Sequence, residues 1–109
     1  MNVENTQSQM RKGILEYCIL ALIGKGEVYA SDIISNLKEA KLIVVEGTLY
    51  PLLTRLKNAG LLNYEWKESD QGPPRKYYSL TETGTQFKEQ LHNTWKELTE
   101  SVTNITQTK

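Results

Sequence analysis

The sequence predicts a mainly α chain with a small β-hairpin, an α+β fold whose elements run α-α-α-β-β-α. Three observations carry this expectation. Apolar residues recur at three- and four-residue steps in four stretches, two runs in the second half alternate instead, and the turn-forming DQGPP lies between those two runs.

The first helix is expected from about Gln7 to Ile23, because Ile14, Leu15, Cys18, Ile19, Leu22 and Ile23 fall on one side of it. Gly24 and Gly26 stop it. A second helix fits ASDIISNLKEA over Ser31 to Ala40, with Ser31 or Ala30 at its start. Asp32 lies in the first turn, where the helix dipole favours an acid. The third covers residues 46 to 59, EGTLYPLLTRLKNA, and ends at Gly60, in the position glycine prefers beyond a helix C-terminus. The period then changes. Leu61 to Ser69 reads as a strand with Leu62, Tyr64 and Trp66 on one face, and Arg75 to Leu80 as another with Tyr77 or Tyr78 inward. Pro73 and Pro74 predict an exposed hairpin tip without ladder bonds. Thr81 caps a last helix reaching nearly to the end. Three short helices followed by a hairpin is the winged helix-turn-helix plan, in which the third helix enters the major groove and the wing lies along the backbone. Residues 1–80 are expected to form that unit and 81–109 a C-terminal dimerisation helix.

The third helix has two unlike faces. Leu49, Leu52, Leu53 and Leu56 lie at i, i+3, i+4 and i+7, while Gly47, Pro51, Thr54 and Asn58 fall opposite them. Thr48 and Arg55 flank that outer face on one side, Tyr50 and Lys57 on the other. These side chains donate to phosphates and base edges, although a plain solvated face has the same phase. Gly47 and Pro51 sit near the helix start, where fewer backbone bonds exist to lose, with Pro51 just past the free positions. The wing contributes Lys67, Arg75 and Lys76, against Asp70 near its tip.

Composition limits the alternatives. The 109 residues carry 13 basic and 13 acidic side chains, so any anion-binding surface must be local. The absence of a long apolar run, and a polar start unlike a secretory signal, predict a cytoplasmic protein. Cys18 is the sole cysteine and reads as a core residue. His92 has no suitable neighbours in the sequence for a metal and reads as solvated or interfacial. No nucleophile-base set, phosphate loop or ligand cluster can be assembled, so neither an enzyme nor a bound cofactor is expected.

EGTLYPLLTRLKNAGLL followed by GPPRKYYSLTETG resembles the signature of the PadR family of bacterial transcriptional regulators, and the upstream LEYCILALIGKGEVYASDI is similar too. The resemblance spans roughly Ile14 to Gly84. The short C-terminal segment resembles the subgroup with a single long dimerising helix. Such a resemblance implies a homodimeric repressor on a pseudo-palindromic DNA operator, released by a small-molecule effector. It places recognition-helix contacts on Thr48, Tyr50, Pro51, Thr54, Arg55 and Lys57, and wing contacts on Arg75 and Lys76. One departure is Val45, where the family often has a small or polar helix cap.

The last helix carries Phe87, Leu91, Trp95, Leu98, Val102 and Ile105 in one stripe. A helix of about 26 residues is about 40 Å long, so part of this stripe needs a partner outside its own domain. These six residues are the expected dimerisation surface. Trp95 reads either as interface packing or, paired across the dimer, as a stacking surface for a planar aromatic effector. The aromatics Tyr64, Trp66, Tyr77 and Tyr78 read as wing packing. A second class of function, a winged-helix protein-interaction module without sequence-specific DNA binding, is separated from the first by its weak salt dependence.

Overall fold

The computed structural model describes residues 1–42, 44–70 and 72–107. Within them the order is α1 (Val3–Ile23), β1 (Val28–Tyr29), α2 (Ala30–Glu39), α3 (Glu46–Asn58), β2 (Leu62–Ser69), β3 (Gly72–Leu80) and α4 (Glu82–Thr106). The expected α-α-α-β-β-α order is present, with one short strand added between the first two helices.

α1 starts four residues earlier than its apolar period indicates. Asn2 Oδ1 accepts the Glu4 N–H at 2.8 Å, and Glu4 adds favourable charge to the first turn. The first ten residues are all exposed, so no buried stripe marked that part of the helix. α2 begins at Ala30 and ends at Glu39, one residue earlier at each end than expected; the Asp32 carboxylate accepts the Tyr29 N–H at 3.1 Å and fixes the entry. Tyr29 also belongs to β1, which pairs antiparallel with β3 at Val28↔Tyr78 and Tyr29↔Tyr77, giving the sheet order β1-β3-β2. A strand of two residues is too short to show a period, which is why it escaped the sequence.

α3 begins at Glu46 as expected and ends at Asn58, one residue before the expected Ala59. Val45 supplies no side-chain cap, but its carbonyl accepts the N–H groups of Thr48 at 2.9 Å and Leu49 at 3.0 Å. At the other end Gly60 takes φ 81°, its N–H bonds the Lys57 carbonyl at 2.9 Å, and the Leu61 N–H bonds the Leu56 carbonyl at 3.0 Å. That closing motif consumes Leu61, so β2 starts at Leu62. β3 starts at Gly72, three residues before the expected Arg75, and Pro73 and Pro74 lie inside it. The register explains how: Lys67↔Arg75 and Ser69↔Gly72 leave two residues of β3 opposite one of β2, a bulge at which prolines lose no ladder bond. Gln71, in the expected turn, lies outside the described residues.

The core forms where α1, α2, α3 and the sheet converge. Ile19, Leu20, Ile33, Leu49 and Leu53 are fully enclosed, joined by Ile23, Leu37, Leu56, Leu62 and Tyr78. Tyr78 is therefore the inward tyrosine of the pair. All four leucines of the α3 stripe are buried, and truncating one of the enclosed pair, Leu49 or Leu53, to alanine would cost about 2 to 5 kcal/mol. α4 is fastened at its start. Thr81 Oγ1 accepts the Gly84 N–H at 2.9 Å and donates to the Gly60 carbonyl at 2.7 Å, while the Thr81 N–H bonds the Leu61 carbonyl at 3.1 Å. Gly84 lies so close to the Leu61 carbonyl that a Cβ there would overlap its oxygen and fall 2.9 Å from its carbon. Further along, Tyr17 Oη and His92 Nδ1 are 2.7 Å apart, tying α4 to α1.

Candidate nucleic-acid interface

Burying Leu49, Leu52, Leu53 and Leu56 turns the opposite side of α3 outward, and Gly47, Thr48, Tyr50, Pro51, Thr54, Arg55, Lys57 and Asn58 are all exposed there. Pro51 is the sixth residue of the helix and has no N–H for the Gly47 carbonyl, so that acceptor also stays on the outer face. Across from this face stands the wing. Between them opens a cleft of about 450 Å³ with Tyr50 and Thr54 on the α3 wall, Trp66, Arg75 and Lys76 on the wing wall, and Tyr78 from the core at its base. Ala30 and Ser31 close one end, so the first turn of α2, with its partial positive charge, also faces the cleft.

The cations are held in place by aromatic rings. Tyr64 lies under two of them, Lys76 Nζ at 4.4 Å and Lys57 Nζ at 5.4 Å from its ring centroid. Lys76 is also 5.3 Å from the Trp66 ring, its cross-strand neighbour, and Arg75 is 5.1 Å from that of Tyr29. Tyr29 in turn stacks on Tyr77 with centroids 3.8 Å apart, and the hydrogen bond between their side chains pushes the Tyr29 phenol above its ordinary range. Lys57 of α3 and Lys76 of the wing therefore share one ring, while Arg75 lines the cleft from its place against Tyr29.

Two other basic groups have acidic neighbours instead. The Arg55 guanidinium donates to the Glu16 carboxylate of α1, and Lys67 Nζ donates to Glu27 Oε2 at 2.5 Å, which raises the Lys67 pKa above its usual value. Neither acid was visible as a partner in the sequence, where 39 and 40 residues separate the members of each pair. Trp66 corrects the reading of the wing aromatics as packing: it shares the Leu62 and Tyr64 face but is 62% exposed, because that face runs past the edge of the core into the cleft. Ser31 and Trp66 are thus cleft residues that local periodicity missed.

Away from the cleft, the α4 stripe is mostly uncovered. Leu91 packs partly against the core, whereas Phe87, Trp95, Leu98, Val102 and Ile105 are exposed, Ile105 to 77%. Trp95 lies beside α1 in a groove of about 100 Å³ that Ile14, Glu16, Tyr17 and Leu98 also line. Among the described residues no group of three or more His, Cys, Asp or Glu side chains is arranged to hold a metal, and no helix is long and apolar enough to cross a membrane.

A leucine-anchored third helix facing a basic wing defines a winged-helix protein of the DNA-binding type. Residues 19–90 match the transcriptional regulator PadR-like family, and the chain belongs to that family, whose members are transcriptional regulators and not enzymes. It is 67% identical to a PadR-like transcription factor from Bacteroides fragilis, covering 93% of this chain and 98% of that one with a TM-score of 0.77. A PadR-like transcriptional regulator from Bacillus cereus is 37% identical, with 93% and 99% covered and a TM-score of 0.84. PadR of Bacillus subtilis, solved in complex with operator DNA, is 30% identical over 72% of this chain and 46% of its own, with a TM-score of 0.66. The present chain thus spans about half the length of that larger relative.

Proposed function

We propose that this chain is a homodimeric repressor that binds an operator through α3 and the wing and is released by a planar aromatic effector. The observation that carries the DNA-binding part is the cleft, in which Tyr50 and Thr54 of α3 and Arg75 and Lys76 of the wing face a common space. Thr48, Tyr50, Pro51 and Thr54 are the groove-facing contacts, Arg55 and Lys57 flank them, and Arg75 and Lys76 take backbone phosphates. The operator complex of Bacillus subtilis PadR supports the same use of this fold.

Dimerisation is assigned to Phe87, Leu91, Trp95, Leu98, Val102 and Ile105, since an apolar stripe left open over most of a 25-residue helix is suited to a second copy. A two-fold dimer would present two α3 helices about 34 to 36 Å apart, or a near multiple, to successive major grooves. Trp95 is assigned to the effector because the residue stays 39% exposed beside the α1–α4 groove. Residues 1–80 serve as the DNA-binding unit and 81–109 as the dimerising helix.

Fluorescence anisotropy on a labelled promoter fragment tests this reading. Affinity should fall steeply with salt, and planar aromatic compounds that release the DNA should change Trp95 emission in a Trp66→Phe background. Binding that is insensitive to salt would favour a protein-interaction module instead.

A further inference from the structure

Glu16 touches two surfaces at once. Its carboxylate accepts from Arg55 Nη2 on the flank of α3, and the residue also lines the α1–α4 groove with Tyr17, Trp95 and Leu98. The pair lies near the surface, with side-chain exposures of 68% for Arg55 and 39% for Glu16, so solvent and incoming ions reach it. An exposed ion pair is weak, and a guanidinium binds a phosphate through the same paired N–H geometry it uses for a carboxylate. A DNA strand approaching α3 therefore competes with Glu16 for one group.

We propose that Glu16 is a positioning residue for Arg55: it holds the guanidinium while the DNA face is empty, yields it to the operator on binding, and thereby couples the α1–α4 groove to the recognition helix. The proposal rests on the DNA-binding reading above. Its physical content is an exchange. Before binding, the negative charge of Glu16 is satisfied by Arg55; after it, that charge is left in the wall of the groove beside Trp95. Because coupling free energies are reciprocal, whatever stabilises the unpaired carboxylate in the groove favours DNA binding, and whatever strengthens the pair opposes it.

The test uses a DNA duplex selected by the full-length protein from a random-sequence pool, with wild type, Glu16→Gln, Arg55→Gln and the double variant compared by fluorescence anisotropy. Glutamine keeps the shape and removes the competing charge, so Glu16→Gln should tighten binding by about two- to five-fold, the range an exposed ion pair can supply. In the Arg55→Gln background the same substitution should change nothing. An equal gain in both backgrounds would mean simple removal of negative charge near DNA, and would overturn the exchange. The coupling is read separately by 19F NMR of 5-fluorotryptophan-labelled protein, its two signals assigned with Trp66→Phe and Trp95→Phe. Adding duplex should move the Trp95 signal in wild type and leave it in place in Glu16→Gln; a shift that persists in the variant refutes the coupling. A wild-type protein that selects no duplex refutes the DNA-binding reading itself, whereas a wild type that binds no differently from Glu16→Gln refutes only the exchange.

Discussion

Replacing Lys76 with glutamine removes a cation that stands over two rings on the wing side of the cleft, 4.4 Å from Tyr64 and 5.3 Å from Trp66. Lys57, Arg75 and Lys76 are the three cations of the cleft region whose nearest charged-group contacts are aromatic, since Arg55 and Lys67 are engaged by Glu16 and Glu27. If each of these three meets one phosphate, a dimer neutralises about six before any contribution from the Arg55 that Glu16 yields, and the logarithm of affinity should fall against the logarithm of salt with a slope of about −5 or steeper. Between about 50 and about 200 mM salt that slope corresponds to a loss of roughly three decades in affinity. Lys76→Gln takes away two of those contacts per dimer, so the slope should become shallower by about 2, with similar losses on every DNA sequence. The fold should tolerate the change, because an exposed cation–π contact is worth only about 0.5 to 1 kcal/mol. Anisotropy titrations at four or five salt concentrations, with a melting curve for each variant, measure both quantities. An unchanged slope in a folded variant would show that Lys76 meets no phosphate, and the assignment of the wing wall would be wrong.

Other substitutions probe other parts of the molecule. Gly84→Ala drives a methyl group into the Leu61 carbonyl at the start of α4, and should cost about 1 to 3 kcal/mol; for a domain of this size each kcal/mol lowers Tm by roughly 4 to 8 °C in a calorimetric scan. Val102→Glu puts a charge toward the C-terminal end of the exposed α4 stripe, where Val102 itself is 54% exposed. It should leave the fold intact and shift sedimentation from dimer to monomer; a variant that stays dimeric would exclude this stretch of α4 from the interface. Burial pushes the Cys18 thiol above its ordinary value, so at pH 8 it should react with a disulfide reagent much more slowly in the native protein than in denaturant. The sign for stability follows: the unfolded chain loses the thiol proton first, and this group's contribution declines as pH rises above about 9.

The third helix was legible because one short segment contained both of its determinants. Four leucines at helical spacing fixed the buried side, and their phase alone fixed what faced outward, including Pro51 and Thr54. Gly60 and Thr81 were legible as terminators for a similar reason, since capping chemistry depends on residues within a turn of each other. Elements without such local signals were missed. β1 is two residues long and exists only because β3 passes beside it, and the early start of β3 depends on a bulge that lets Pro73 and Pro74 sit in a strand. α1 extends to Val3 through a single Asn2 cap in a segment with no buried face.

By itself the sequence determined the winged-helix order, the buried stripe of α3, the cap of α4 and the types of side chain on the outer face of α3. All of these follow from backbone geometry acting on residues a few positions apart. Only the tertiary structure decided which of those side chains work together. It placed Lys57 and Lys76 over the single ring of Tyr64, turned Trp66 out into the cleft, and set Arg55 against Glu16 and Lys67 against Glu27. The physical reason is that charge–charge and charge–ring contacts depend on separation through space, and the packing of α1, α3 and the wing around one core sets that separation for residues far apart in the chain.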